Sequence, residues 1–172
     1  MPVRIAGIAI FAIASLSVQA SQAATFTEQQ IGELLTAHNK YRVEVSEDPL
    51  VWSNTLAADA QVWALHLAGD VHTLQHSHLP GVGENLAMWT AGRQSLTQLV
   101  DLWGAEKHYF IDATFPSVST TGDWKTVAHY TQMIWRNTTE VGCGLATGGG
   151  YDFLVCRYAP QGNFMGEKVL RN

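Results

Sequence analysis

An α+β fold is what this sequence predicts, on three observations. Amphipathic stretches carry complete helix-start signals, two β-rich segments close the chain around a glycine joint, and helices do not alternate with strands as βαβ units. A chain of 172 residues fits one domain with a processed leader. Helices on both faces of a small antiparallel sheet satisfy these constraints.

The first residues, "MPVRIAGIAIFAIASLSVQASQAA", have the layout of a secretory signal peptide. One basic residue, Arg4, precedes a short apolar run from Ile5 to Leu16, and small residues follow at Ala20 and Ala23. The run is shorter than the ~20 apolar residues that a membrane span needs. The expected organisation is a leader over residues 1–23 and a folded domain over residues 24–172. Export places the mature chain outside the cell, or in a periplasm if the source is bacterial.

The first helix starts in "TFTEQQIGELLTAHNKYR". Thr27 and Gln30 stand at capping-box spacing, and Phe26 with Ile31 can close a hydrophobic staple around the cap. Ile31, Leu34, Leu35 and His38 then recur at helical spacing, so His38 lies on or beside the apolar face. Pro49 to Trp52 reads as a short extended connector. A second helix runs from Ser53, a good N-cap, through Leu56, Ala60, Trp63, Ala64 and Leu67 to a stop at Gly69. Its alanines suit close approach to another layer.

A third helix begins in "SLTQLVDLWGAEKHYF", with Ser95 and Gln98 as a second capping box. Leu96, Leu99, Val100, Trp103 and Phe110 share one face, and Glu106 projects near it. A shorter fourth helix covers about 123–135, with Val127, Tyr130 and Ile134 as periodic residues. Residues 140–145 and 151–158 read as an antiparallel hairpin joined by Gly148-Gly149-Gly150, and "GENLAM" can supply a further short strand. The hairpin sets Cys143 across from Cys156, the only two cysteines. In an exported protein such a pair is expected to be a disulfide rather than a thiolate metal site.

Charge excludes some partners. The formal net charge is -5, and loss of Arg4 with the leader moves it to -6. An acidic surface without a Lys/Arg cluster does not fit nucleic acid, and no segment is expected to insert stably into a membrane.

His66, His72, His76, His78 and His129, with Glu84 and Glu106, are the chemically suggestive residues. A carboxylate in apolar surroundings needs a cation or donor, since burying it unpartnered costs several kcal/mol. His–Glu pairs meet that need, either as a hydrogen-bond network linking helices or as ligands for a divalent metal. Spacing alone leaves both readings open, because there is no HExxH and the candidates are scattered over four segments. Nucleophile readings find less support. No Gly-x-Ser-x-Gly elbow is present, and Ser77 directly follows His76, so in a strand the two would face opposite ways. No catalytic residue is assigned.

Two longer segments, "AHYTQMIWRNTTEVGCG" and "FLVCRYAPQGNFMGE", resemble the signature segments of the CAP superfamily, which groups cysteine-rich secretory, antigen-five and pathogenesis-related class one proteins. "AHNKYR", "HSHLPGVGENLA" and "VDLWGAEKHY" resemble its other blocks, in the same order, so the likeness runs from about residue 26 to 168. Ala128 stands where the family usually has glycine. The additional cysteines of many eukaryotic members are missing, which sets ion-channel regulation aside.

The resemblance implies a three-layer α–β–α sandwich with a central antiparallel sheet. It also implies a cleft of two histidines and two glutamates that holds a divalent ion, often zinc. By motif position these are His76, Glu84, Glu106 and His129, with His78 able to assist. For function the family implies a small hydrophobic ligand such as a sterol or fatty acid. The loop "YFIDATFPSVST" offers Tyr109, Phe110, Phe115 and Pro116 for it. Alternatives are metal-dependent hydrolysis or proteolysis in the same cleft, and a defence or signalling ligand acting through its surface. Asn137-Thr138-Thr139 is a glycosylation sequon, meaningful in a eukaryotic secretory pathway.

Overall fold

The computed structural model describes residues 26–171; the leader expected over residues 1–23 lies outside them. Helix α1 spans Glu28–Glu44, and its start is the expected capping box, with Thr27 and Gln30 satisfying each other's backbone N–H groups. Strand β1 (Val51–Trp52) is followed by α2 (Asn54–His66). Ser53 precedes α2, but its side chain makes no capping bond. The helix also passes the expected stop at Gly69. It widens into a π turn over Leu67–Val71, and the left-handed residue that ends it is His72, at φ 57°.

Strand β2 (Gly83–Thr90) leads to α3 (Leu96–Gly104), whose second capping box is present. The expected continuation of α3 to Phe110 tightens instead into a 3-10 turn over Ala105–Tyr109. A second 3-10 turn (Trp124–Val127) opens α4 (Ala128–Met133), and β3 (Glu140–Gly148) and β4 (Tyr151–Ala159) form the expected hairpin.

The sheet order is β1-β3-β4-β2. The three long strands pair antiparallel, whereas β1 pairs parallel to β3, so the segment read as a connector becomes an edge strand. Cys143 lies directly opposite Cys156 in the register, and the two are joined at a Cα–Cα separation of 4.0 Å.

Two apolar clusters make the sandwich. The larger joins α1, α3 and α4 to one face of the sheet through Leu34, Leu99, Trp103, Ile134, Leu154 and Tyr158. The smaller joins α2 to the other face through Ala60, Ala64, Leu67, Phe153 and Val155. Close approach on the α2 side has a sequence cause. Gly142, Gly144 and Gly148 lie on alternate positions of β3, and a Cβ on any of them would collide with backbone atoms of Ala57, Gln61 or Ala68.

Gln61 also closes part of the β3 edge. Its side-chain amide donates to the Leu145 carbonyl at 2.9 Å and accepts from the Leu145 N–H at 3.0 Å. On the larger-cluster side, Arg42 is fully buried and serves only carbonyl oxygens. It donates to Asp48, to Met133 and Trp135 at 3.0 Å each, and to Thr138 at 3.1 Å. The carbonyls of Met133, Trp135 and Thr138 lie at and after the end of α4, where helix geometry supplies no partner.

Candidate functional site

The start of β2, the loop before it and the N-terminal end of α4 enclose a cavity of about 450 Å3. His76, Glu84 and His129 line it, together with His78, Asn85 and Gln132. The expected tetrad resolves into two His–Glu pairs.

In the first pair, His76 Nδ1 lies 2.8 Å from Glu84 Oε1. The same carboxylate accepts from the Ser77 N–H at 2.9 Å and the Ser77 hydroxyl at 2.5 Å. Arg157 Nη2 lies 3.6 Å away, and the side chains of Glu84 and Arg157 are both nearly buried. Burial pushes the Glu84 carboxyl pKa upward, but the hydrogen bonds from His76 and Ser77 outweigh it, and the net shift is below the ordinary value.

In the second pair, His129 Nδ1 lies 2.6 Å from Glu106 Oε1, while Glu106 Oε2 accepts from the backbone N–H groups of His129 and Tyr130 at 3.0 Å each. Glu106 therefore caps α4 from another element, which matters because Val127, at the N-cap, provides no side-chain acceptor. The His129 ring stacks on Trp103 with an interplanar angle of 19°. Its own carbonyl accepts from Asn85 Nδ2 at 3.0 Å.

In both pairs the carboxylate engages Nδ1. Since a carboxylate only accepts, each Nδ1 carries a proton, and in the neutral ring Nε2 is the nitrogen with the free lone pair. This is the arrangement in which an outer carboxylate fixes the tautomer of a metal-ligating imidazole. Among the described residues, no three of His76, Glu84, Glu106 and His129 bring donor atoms within 4.8 Å of one another. Each glutamate orients its imidazole in this arrangement. Donor chemistry fits a divalent cation held by imidazole nitrogens with its remaining positions open.

A buried polar chain reaches His129 from the core. His38 Nδ1 donates to the Leu34 carbonyl at 2.8 Å, so its Nε2 accepts from the Tyr158 hydroxyl at 2.9 Å. Tyr158 in turn accepts from Asn85 at 3.2 Å, and Asn85 also holds the His129 carbonyl. Burial pushes the His38 pKa down to about 4, keeping the ring neutral. His38 also places a donor atom within 4.8 Å of Cys143 and Cys156. Both sulfurs are consumed in the disulfide, so this cluster offers no thiolate to a metal.

The cysteine-rich secretory protein (CAP) family model matches residues 35–158. The chain belongs to the CAP family. It is similar to pathogenesis-related protein 1A of Nicotiana tabacum, at 38% identity over 78% of this chain and 77% of that protein. It is also similar to a PR-1 type pathogenesis-related protein of Sambucus nigra, at 35% identity over 79% of each chain. The crystal structure of NaASP2 with Zn2+ aligns with a TM-score of 0.71 at 22% identity, over 85% of this chain and 87% of that one, and agrees in fold.

In this CAP domain the aromatic loop divides between core and surface. Phe115 is buried, with its ring 5.2 Å from that of Trp124 and 6.2 Å from that of Trp135. Phe110 packs edge-on against Tyr130 at 5.4 Å. Phe115 also exchanges backbone bonds with the chain's end, accepting from Gly166 and donating to Glu167. Tyr109 and Pro116 remain exposed. The loop is pinned to the core because its aromatics fill the space beneath it. An apolar pocket of about 230 Å3 lies elsewhere, between the start of α1 and α2, lined by Phe26, Ile31, Trp52, Ala57 and Ala58.

His78, two residues from His76, would face the same side if the segment were a strand. It instead sits in a loop at φ 55°, its ring centroid 6.4 Å from that of His76. Sequence reasoning also passed over Asn85 and Tyr158, and weighed Ser77 only as a nucleophile, not as a donor to Glu84. Asn85 carried a signal, as a buried-strand amide inside "GENLA". Tyr158 carried none, because an aromatic in a strand is ordinarily packing.

Proposed function

We propose that this CAP-family chain is an exported binding protein whose cleft takes a divalent cation of the zinc type through Nε2 of His76 and His129. One observation carries the reading: both Nδ1 atoms are committed to glutamates, and both rings line the same cavity. The NaASP2 structure with Zn2+ lends support from a protein of the same fold. The signal-peptide layout of residues 1–23 and the Cys143–Cys156 disulfide support export. N-terminal sequencing of the secreted chain is expected to find residue 24 at the start of the mature domain over residues 24–172. A chain beginning at Met1 opposes that assignment.

Calorimetric titration with Zn2+ tests the cation. Saturable binding is expected for the native protein, with a loss of at least about tenfold in affinity for His76→Ala and for His129→Ala. Heats that are unchanged in both variants defeat the reading. Because both carboxylates already accept imidazole N–H groups, neither is placed as a general base, and binding is favoured over hydrolysis.

A second binding reading has its own support in the pocket between α1 and α2. Its apolar lining and volume of about 230 Å3 suit part of a small hydrophobic ligand such as a fatty acid or sterol. Labelled palmitate and cholesteryl acetate are expected to bind saturably, and Ala58→Phe, which fills the pocket, is expected to weaken that binding at least about tenfold. Equal binding by the variant removes this pocket from consideration.

A further inference from the structure

We infer that the cleft also receives an extended peptide segment of another protein, which pairs with the open edge of β2 at Glu84. Strand register leads there. Leu145 gives both its backbone groups to Gln61, so it faces away from β4, and alternate residues of each strand share a direction. Leu145 stands opposite Leu154, so Leu154 faces β2, where it pairs with Ala87. Ala87 and Asn85 are therefore the β2 residues that bond to β4, and Leu86 and Glu84 turn their N–H and C=O groups outward.

Trp103 confirms this parity independently, because its indole N–H donates to the Leu86 carbonyl at 3.0 Å from outside the sheet. At Glu84, two residues earlier, nothing plays that part. Among the described residues, all the hydrogen bonds of Glu84 to the surrounding loop run through its carboxylate, and no hydrogen bond outside the ladder takes its N–H or C=O. β2 is the outermost strand, and Gly83, Glu84 and Asn85 line the cavity.

An outward donor and acceptor on one strand residue are complementary to a peptide backbone, which supplies the reverse pair at the same spacing. The opposite edge of the sheet supplies the contrast, since β1 and the Gln61 amide cover β3 there. Trp103 blocks extension past Leu86, so the peptide runs from Glu84 towards Val82 and Leu79, at ~3.3 Å per residue. Its residue opposite Glu84 projects to the His76 side, and the residues flanking that one project to the Asn85 and His129 side.

The pairing needs no metal, which separates it from the cation reading. The probe is the blocked tetrapeptide acetyl-Val-Thr-Val-Thr-amide, added to chelator-treated, isotope-labelled protein and followed by NMR. In the free protein, the Glu84 amide is expected to exchange with solvent at least about a hundredfold faster than those of Asn85 and Ala87. Addition of the probe is expected to give saturable shifts at Gly83, Glu84 and Asn85 and to slow Glu84 exchange at least about fivefold. The fully N-methylated peptide, which cannot donate, should do neither. A Glu84 amide already protected in the free protein overturns the inference. So do shifts that fail to saturate, that lie elsewhere, or that the N-methylated peptide reproduces. None of these outcomes bears on zinc binding.

Discussion

Replacing Arg42 with methionine is expected to lower the free energy of unfolding by about 3–5 kcal/mol. The guanidinium is fully buried, and its partners are the carbonyls of Asp48, Met133, Trp135 and Thr138. Methionine fills similar space but leaves these acceptors facing an apolar chain, and each buried unsatisfied acceptor costs ~1–3 kcal/mol. The sum is moderated because the penalty of burying the cation disappears with it, a penalty visible in the pKa of Arg42 lowered to about 10. Arg42→Lys is expected to recover less than half of the loss, since one ammonium cannot present donors in the plane of a guanidinium fork. Urea unfolding measures both, with the midpoint falling at unchanged slope. A loss below about 1 kcal/mol for the methionine variant would mean that water reaches these carbonyls.

Acidification from about pH 6.5 to about pH 4 is expected to remove roughly 3 kcal/mol of stability through His38 alone. Burial lowers its folded-state pKa from 6.5 to about 4. Between those values the unfolded chain takes up a proton that the folded protein refuses. The contribution is complete above pH 6.5, is lost as pH falls through the window, and changes no further once both states are protonated. Glu84 acts lower on the scale. Its carboxyl is held below its ordinary value of 4.5, so its contribution is present above that value and is lost as pH falls further. Comparing native protein with His38→Gln at about pH 7 and about pH 4.5 isolates the histidine, because the other titrating groups are shared. Parallel pH dependence in the two proteins would show that His38 is protonated without unfolding.

Local signals carried far in the sequence. Thr27 with Gln30 and Ser95 with Gln98 announced their helix starts because each box closes within one turn. Cys143 and Cys156 could be paired because a hairpin has only one register with both at its centre. Features that depend on distant chain were hidden. Arg42 reads as a solvated charge on a helix until Met133 and Trp135 arrive from more than 90 residues away. Trp52 is one of only two residues in its strand, too few for any alternation to register. His76 and His129 could be named from family motifs, yet Nδ1 engagement and the orienting role of the glutamates depend on three-dimensional approach. Phe115 could not be placed from sequence, because an aromatic-rich loop looks alike whether its rings point out or in.

The Gln61 amide substitutes for missing chain. A bare strand edge is where copies of a protein stick to one another. Here a side chain anchored in α2 occupies the Leu145 position from within the same molecule, at the effective concentration of a tethered group. A second molecule would have to displace it before it could begin a shared sheet. The short first strand is thereby relieved of guarding the whole β3 edge, and one glutamine side chain keeps that stretch from a second molecule.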